Sequence, residues 1–240
     1  MTKIITHITK AVIAIVTALL FSSCGFGING DGNVVTTERN ADGNFTSVSG
    51  NRGLEVVIEQ GKQKKITVEA DENLQEHIST KIEGGELVIT TDVGIQKATS
   101  KKVIVSMPVI ERIASSSGAN IISKNTIKTE NLGLSSSSGS QLEVSTEAVS
   151  VRAESSSGSS LKVKGKAQKL EADASSGSNL NAKDLAVNAA NAEASSGSSV
   201  LVNTSNSLDA EASSGGSVLF AGNPSTVNKN TSSGGTVKQD

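Results

Sequence analysis

The chain has 240 residues, a formal net charge of −2 and only 2% aromatic residues, with neither tryptophan nor tyrosine. Its one cysteine excludes an intrachain disulfide, and the slightly acidic balance gives no indication of a nucleic-acid partner. The core must therefore be built from small aliphatic side chains, which is unusual for a sandwich and typical of a stacked solenoid.

Residues 1–23 are predicted to be an export signal. Lys3 and Lys10 give a positive start, and the nearly continuous apolar run of residues 11–21 is too short to span a bilayer comfortably. Small residues then lead into Cys24, an arrangement that resembles a bacterial lipobox with Phe21 in place of the usual leucine. Cys24 is therefore the predicted lipidation site, and the alternatives are a simple secreted protein or an uncleaved signal anchor.

Residues 24–45 are rich in glycine and poor in apolar residues, which predicts a flexible spacer, with a first strand near Val34 and Val35 as an alternative for its later part. From 46 to 112 the pattern indicates strands without a regular repeat, and we expect irregular opening turns of a solenoid or a capping sheet. Five lysines in this region are expected to be solvated residues at a sheet edge, or alternatively a polyanion-binding patch: Lys62, Lys64, Lys65, Lys101 and Lys102.

Residues 113–240 repeat one short phrase, two or more serines followed by glycine. The glycines recur every 18 to 21 residues, at Gly118, Gly139, Gly158, Gly177, Gly197, Gly215 and Gly234. Apolar residues alternate with polar ones on both sides of each glycine, which predicts two short strands per repeat, joined by one constant tight turn and one variable turn. A unit of about 19 residues cannot close a core alone, so the repeats must stack as a β-helix. Residues after about 223 have little apolar material, and we expect them to fray or to pair with a second subunit.

The lone cysteine, the glycine-rich segment after it, the stranded middle and the recurrent Ser-Ser-Gly turns together resemble the head GIN domain family, described as putative auto-transporter adhesins. The resemblance covers roughly residues 29–223. It implies an all-β fold, a single-stranded right-handed parallel β-helix similar in shape to pectin lyases, and a role in adhesion at the bacterial envelope. Fold similarity to lyases transfers no chemistry.

A search for catalytic groups gives no candidate. The acidic residues of the repeats fall one or two per turn at outward positions, as a solvated face requires: Glu154, Glu171, Asp173, Glu193, Asp209 and Glu211. His77 has no second histidine or cysteine at metal-ligand spacing and is expected to be a surface residue. The serines are expected to be turn residues, since none lies in a Gly-x-Ser-x-Gly motif. We expect no enzyme activity, metal or cofactor.

Three functions remain open on the sequence. The first is an adhesive or structural envelope lipoprotein, held in the outer membrane by its lipid, whose rigid surface binds a host or envelope protein or glycan. The second is a periplasm-facing scaffold or sensor. The third, a carbohydrate-binding module or polysaccharide lyase, is disfavoured because sugar recognition commonly uses aromatic rings. The sequence does not decide between the two faces of the outer membrane.

Overall fold

The structure is a computed structural model that describes residues 27–240, so the predicted signal segment 1–23 and Cys24 lie outside the described residues. The first strands are β1 Ile28–Asn29, β2 Val34–Arg39, β3 Ser47–Gly50, β4 Glu55–Gln60, β5 Lys65–Asp71, β6 Ile78–Glu83, β7 Glu86–Thr91, β8 Ile95–Lys97 and β9 Lys101–Met107. The repeat strands are β10 Arg112–Ser115, β11 Asn120–Ser123, β12 Ile127–Ser136, β13 Gln141–Ser155, β14 Ser160–Ala174, β15 Asn179–Ala194, β16 Ser199–Ala212, β17 Ser217–Ala221, β18 Thr226–Thr231 and β19 Thr236–Gln239. A short 3-10 helix spans Glu72–Leu74. Within 27–240, no helix is long and apolar enough to cross a membrane.

The repeats form a parallel β-solenoid of about seven turns, as predicted. Equivalent residues of successive repeats lie side by side, so that Leu142 pairs with Leu161 and Leu161 with Leu180. We call the strands that lead into the Ser-Ser-Gly turn the entry face; they are β3, β10, the C-terminal parts of β12–β16, and β18. The strands that leave the turn are the exit face; they are β4, β11, the N-terminal parts of β13–β16, β17 and β19.

The core consists of aliphatic columns with one residue per turn. The central inward column of the exit face carries the larger side chains, Ile121, Leu142, Leu161, Leu180, Val200 and Val218. Opposite it, the entry face uses alanine in four successive turns, at Ala153, Ala172, Ala192 and Ala210. None of these residues is more than 2% exposed. Small residues facing larger ones let the two faces approach closely, which explains how the coil fills its interior without aromatic rings.

The tight corner is a type I′ turn whose two central residues both have positive φ. In the turn Ser156–Ser159, φ is 52° at Ser157 and 68° at Gly158, and the Ser159 amide donates to the Ser156 carbonyl at 3.2 Å. Glycine adopts this conformation without steric cost, which explains its constancy there. The Gly158 amide also donates to the Ser176 carbonyl of the next turn at 3.0 Å, so the hydrogen-bond ladder continues through the corner.

The residue after the turn glycine is a buried serine in four successive repeats. The Ser159 hydroxyl lies 2.7 Å from the Ser136 carbonyl of the preceding turn, and Ser178 makes the equivalent bond to Ser155 at 2.8 Å. These hydroxyls supply hydrogen bonds inside a corner where an unpaired polar group would cost about 1–3 kcal/mol. Serine at this position is thus part of the core.

The N-terminal region caps the solenoid in an order that differs from the chain order. β7 lies parallel to β3, and β9 lies parallel to β4, so the later strands form the outermost layer. β3 and β4 in turn stack on β10 and β11. Antiparallel strands close the end, since β6 pairs with β7, β5 with β9, and β2 with β5. We call the end formed by β2–β9, residues 34–107, the cap.

The described part of the predicted spacer 24–45 is structured. β1 pairs with β8, and β2 forms a six-residue antiparallel pairing with β5. Alternation of valine, threonine and charged residues in Val34–Arg39 fits an exposed edge strand. Gly27, Gly30 and Gly43 allow close packing against the cap, because a Cβ atom at each would lie less than 3 Å from a neighbouring atom. The carboxylate of Asp71 is buried in this region.

The C-terminal segment forms a complete further turn, in contrast to the expected fraying. β18 pairs with β16, and β19 pairs with β17. Lys229 occupies the inward column position next to Ala210, and its ammonium lies 4.8 Å from the centre of the Phe220 ring. An inward-pointing charge on a terminal strand is a known device against edge-to-edge pairing. The solenoid is thus closed by a polar last turn.

Candidate binding surface

Outward residues of the entry face form columns, because equivalent positions of successive turns pair in register. Glu154 lies beside Asp173, Asp173 beside Glu193, and Glu193 beside Glu211. The adjacent outward column brings two further carboxylates alongside. At about 4.8 Å between neighbouring strands, the six form one continuous surface. We call it the acidic ladder; its members are Glu154, Glu171, Asp173, Glu193, Asp209 and Glu211.

Asp173 lies at the centre of the acidic ladder, and its surroundings raise the pKa of its carboxyl group. Partial burial and the neighbouring charges of Glu193, Glu171 and Glu154 together raise the pKa of Asp173 to about 6, against the opposing effect of Arg152. The repulsion between these neighbouring carboxylates is unfavourable, and a cationic partner would reduce it.

Arg152 neutralises the end of the acidic ladder nearest the cap. Its Nε lies 2.7 Å from Glu154 Oε1, and its Nη1 lies 3.4 Å from Glu171 Oε2. The hydrogen bond to Glu154 and the charge of Glu171 raise the pKa of Arg152. Glu193 and Glu211 form no salt bridge within the described part of the chain. The unneutralised charge therefore lies toward the C-terminal turns.

A groove of about 570 Å³ runs along the acidic ladder beside the tight corners. Its other side carries a serine from each of four turns, Ser156, Ser175, Ser195 and Ser213. The lining thus carries a column of carboxylates beside a column of serine hydroxyls, both at the spacing of the turns. Such a groove can accept hydrogen bonds from ammonium, guanidinium or hydroxyl groups along an extended partner. Within residues 27–240, no group of three or more histidine, cysteine, aspartate or glutamate side chains could hold a metal ion.

The predicted turn glycines occupy one structural position. All seven have φ between 67° and 77° at the second central position of the tight turn: Gly118, Gly139, Gly158, Gly177, Gly197, Gly215 and Gly234. They form the edge of the solenoid beside the groove. Their role is to shape the corner, and the residues that line the groove are those before the turn.

Three of the five lysines expected at a sheet edge have local partners in the cap. Lys65 pairs with Glu38 at 3.2 Å, and Lys102 pairs with Glu69 at 3.0 Å. Lys64 donates to the Gly43 carbonyl. These contacts favour the interpretation of solvated edge residues over the polyanion-binding alternative.

His77 lies in the cap, away from the acidic ladder. Its Nδ1 lies 2.9 Å from Asp92 Oδ1, and its side chain is 26% exposed. The imidazole therefore has a local partner at the protein surface, where the sequence placed it.

The structure contains a tight turn of this kind that the Ser-Ser-Gly pattern does not predict. Residues Asn51–Leu54 join β3 to β4 with φ of 56° at Arg52 and 71° at Gly53, the same pair of conformations as the Ser-Gly turns. The Gly53 amide donates to the Ser117 carbonyl of the next turn at 3.0 Å. The alternating apolar residues on both sides of Gly53 indicate a strand–turn–strand unit. Arginine replaces serine before this glycine, so the turn does not match the Ser-Ser-Gly phrase.

The sequence matches the family model "Putative auto-transporter adhesin, head GIN domain" over residues 44–224. The chain belongs to the head GIN domain family. No curated protein matches it. The match covers most of the cap and all of the acidic ladder.

Three crystal structures of bacterial proteins have the same fold. A putative adhesin from Bacteroides fragilis has a TM-score of 0.81 at 17% identity, covering 89% of this chain and 100% of its own. A putative adhesin from Parabacteroides merdae has a TM-score of 0.71 at 17% identity, with coverages of 89% and 98%. A protein from Parabacteroides distasonis named a putative lipid binding protein has a TM-score of 0.72 at 16% identity, with coverages of 89% and 99%. Identities this low establish the head GIN fold alone, and the names of these proteins denote binding roles.

Proposed function

We propose that this head GIN protein is a non-enzymatic adhesin-type lipoprotein of the bacterial envelope that binds a cationic partner through the acidic ladder. The observation that carries the proposal is the register of Glu154, Asp173, Glu193 and Glu211 in one column. Carboxylates at about 4.8 Å spacing repel one another, and an extended partner with several positive charges would relieve that repulsion at many points. The family name supports an adhesive role.

The lipid anchor of the proposal rests on Cys24 and the apolar run before it. A diacylglyceryl group on Cys24 would hold the protein in the outer membrane without a membrane-spanning helix. Mass spectrometry of the membrane-bound protein should find a mature chain that begins at a lipid-modified Cys24. An unmodified Cys24 in the membrane-bound protein would contradict lipid anchoring.

The binding role is tested with the double variant Glu193→Gln/Glu211→Gln. Both residues are exposed and form no salt bridge with any of residues 27–240, so the substitutions remove two ladder charges with little effect on folding. The matched control is Glu55→Gln/Glu83→Gln, which removes the same charge from exposed positions on β4 and β6.

Binding is measured with the mature protein on fluorescent oligolysine, as a model of a cationic partner, and on whole cells. The proposal expects the ladder variant to bind both targets more weakly than the control, and expects added salt to weaken binding by the unsubstituted protein. Equal binding by the ladder variant and the control would refute the acidic ladder as the binding surface.

A further inference from the structure

The residues that follow the proposed lipid site are fixed to the cap by hydrogen bonds. In the β1–β8 pairing, the Ile28 amide donates to the Gly94 carbonyl and the Gly30 amide to the Lys97 carbonyl, both at 2.8 Å. Terminal segments are poorly ordered unless such bonds hold them. The described residues begin at Gly27, three positions after Cys24 in the sequence.

Asp71 supplies a second, buried attachment for the same segment. Its carboxylate is fully buried and accepts hydrogen bonds from the backbone amides of Gly32, Thr99 and Ser100, at distances from 2.8 to 3.1 Å. The amide of Ser100 above all lowers the pKa of Asp71, so the group is a carboxylate at neutral pH. A Cβ atom on Gly30 would lie 1.8 Å from Asp71 Oδ2, so only glycine permits this approach.

Asn73 adds a third attachment beside Asp71. Its side-chain oxygen accepts from the Asp31 amide at 3.0 Å, and its nitrogen donates to the Asn29 carbonyl at 2.8 Å. A buried charged group and a bidentate amide are thus used to hold residues 28–32 against the cap. We call this arrangement the N-terminal clamp.

The chain between Cys24 and the N-terminal clamp is much shorter than the stack of strands in the solenoid. From Cys24 to Ile28 an extended chain reaches at most about 14 Å. The stack of strands from the β7–β9 layer to the β18–β19 layer measures about 38 Å at the usual strand spacing. A lipid on Cys24 therefore reaches the membrane at the cap and not at the last turn.

We infer that the N-terminal clamp holds the cap against the lipid surface and directs the C-terminal turns of the solenoid away from it. The inference rests on the proposed lipidation of Cys24. In this orientation the acidic ladder, with its unneutralised end at Glu193 and Glu211, stands clear of the headgroups and faces an approaching partner. A solenoid lying on its entry face would instead press six carboxylates against the membrane.

The exposed serines of the tight turns provide a ruler for the test. Four single cysteine variants, Ser117→Cys, Ser157→Cys, Ser196→Cys and Ser233→Cys, lie on one edge of the solenoid, two turns apart, and span about 29 Å. Each is a nearly isosteric change at an exposed position. Because Cys24 would carry the lipid through its sulfur, the introduced thiol is the single labelling site. The lipidated protein is labelled with a donor fluorophore and reconstituted into vesicles of phosphatidylethanolamine and phosphatidylglycerol containing a rhodamine-labelled acceptor lipid.

Energy transfer to the acceptor lipid should fall at every step from Ser117→Cys to Ser233→Cys. A flexible Gly/Ser insertion between Phe26 and Gly27, which precedes the clamped residues, should reduce that gradient. A lipidated protein with equal transfer at all four sites would overturn the inference while leaving lipid anchoring intact. A mass spectrum without the lipid on Cys24, or labelling of Cys24 itself, would overturn the proposed anchor and the inference together.

Discussion

Alanine substitution of three glycines should have three different effects on stability, because two of the glycines are required for different reasons and the third is not required. Gly158 has φ of 68°, and an added Cβ would meet no atom within 4 Å. Gly158→Ala therefore carries only the conformational cost of a left-handed residue, about 1–2 kcal/mol. Gly165 has φ of 119°, and its Cβ would lie 2.0 Å from the Thr146 carbonyl oxygen. Gly165→Ala adds a backbone clash and should cost more than about 2 kcal/mol.

Gly133 is the matched control for the other two glycines. It lies in β12 without positive φ, and the nearest atoms to an added Cβ are 3.7 Å away. Gly133→Ala should leave stability unchanged or raise it by about 0.5 kcal/mol through the unfolded state.

The comparison is made by thermal unfolding of the mature protein, followed by far-ultraviolet circular dichroism. In a chain of this size each kcal/mol lowers the midpoint by about 2–4 °C. The expected order of midpoints is Gly133→Ala highest, Gly158→Ala lower and Gly165→Ala lowest. Equal midpoints for Gly133→Ala and Gly158→Ala would refute the argument that the tight turn requires glycine for its conformation.

Three further substitutions test the ends, the charge and the interior of the solenoid. Lys229→Leu removes the inward charge over Phe220 and should produce concentration-dependent association through the last turn, which sedimentation equilibrium would detect; a monomer at all concentrations would contradict the edge-protecting role. Because the pKa of Asp173 is raised to about 6 in the folded protein, above the ordinary value of 3.8, its ionisation opposes folding above pH 6 and ceases to oppose it below about pH 4. Asp173→Asn should therefore raise stability at pH 7 by about 1 kcal/mol after allowance for solvent screening, and by nothing at pH 4, in urea titrations at the two pH values. Ser159→Ala deletes a buried hydroxyl contact with the Ser136 carbonyl and should cost about 1 kcal/mol in the same titration; an unchanged midpoint would exclude a structural role for that hydroxyl.

The regular half of the fold could be predicted because its determinants are local. The period of two in a segment such as Leu170–Ala174 indicates a strand, and the recurrent glycine marks the corner. Repeats of 18 to 21 residues still stack in register because the variable corner absorbs the difference. Register shifts fall between Lys162 and Gly165 and between Ala182 and Ala186, at that corner.

The order of layers in the cap could not be predicted from local patterns. β3 and β4 lie between the β7–β9 layer and β10–β11, so their partners on both sides come from much later in the chain. The pairing depends on contacts between distant strands. Alternation shows that Leu54–Glu59 is a strand but does not specify its neighbours.

The acidic ladder was visible in the sequence only as separate residues. Glu193 and Glu211 each look like an ordinary solvated carboxylate within their own repeat. Their proximity follows from the register, which places residues 18 positions apart side by side. Aligning the repeats on the turn glycine would have revealed the column. The raised pKa of Asp173 also depends on its partial burial in the stack, which the separate repeat does not show.

Protease treatment of intact cells tests the adhesin account most directly. The protein is followed together with a periplasmic control before and after the outer membrane is opened. The account predicts that the protein is degraded on intact cells while the control survives. Protection of both proteins until the membrane is opened would contradict an adhesive role and favour a periplasm-facing scaffold or sensor.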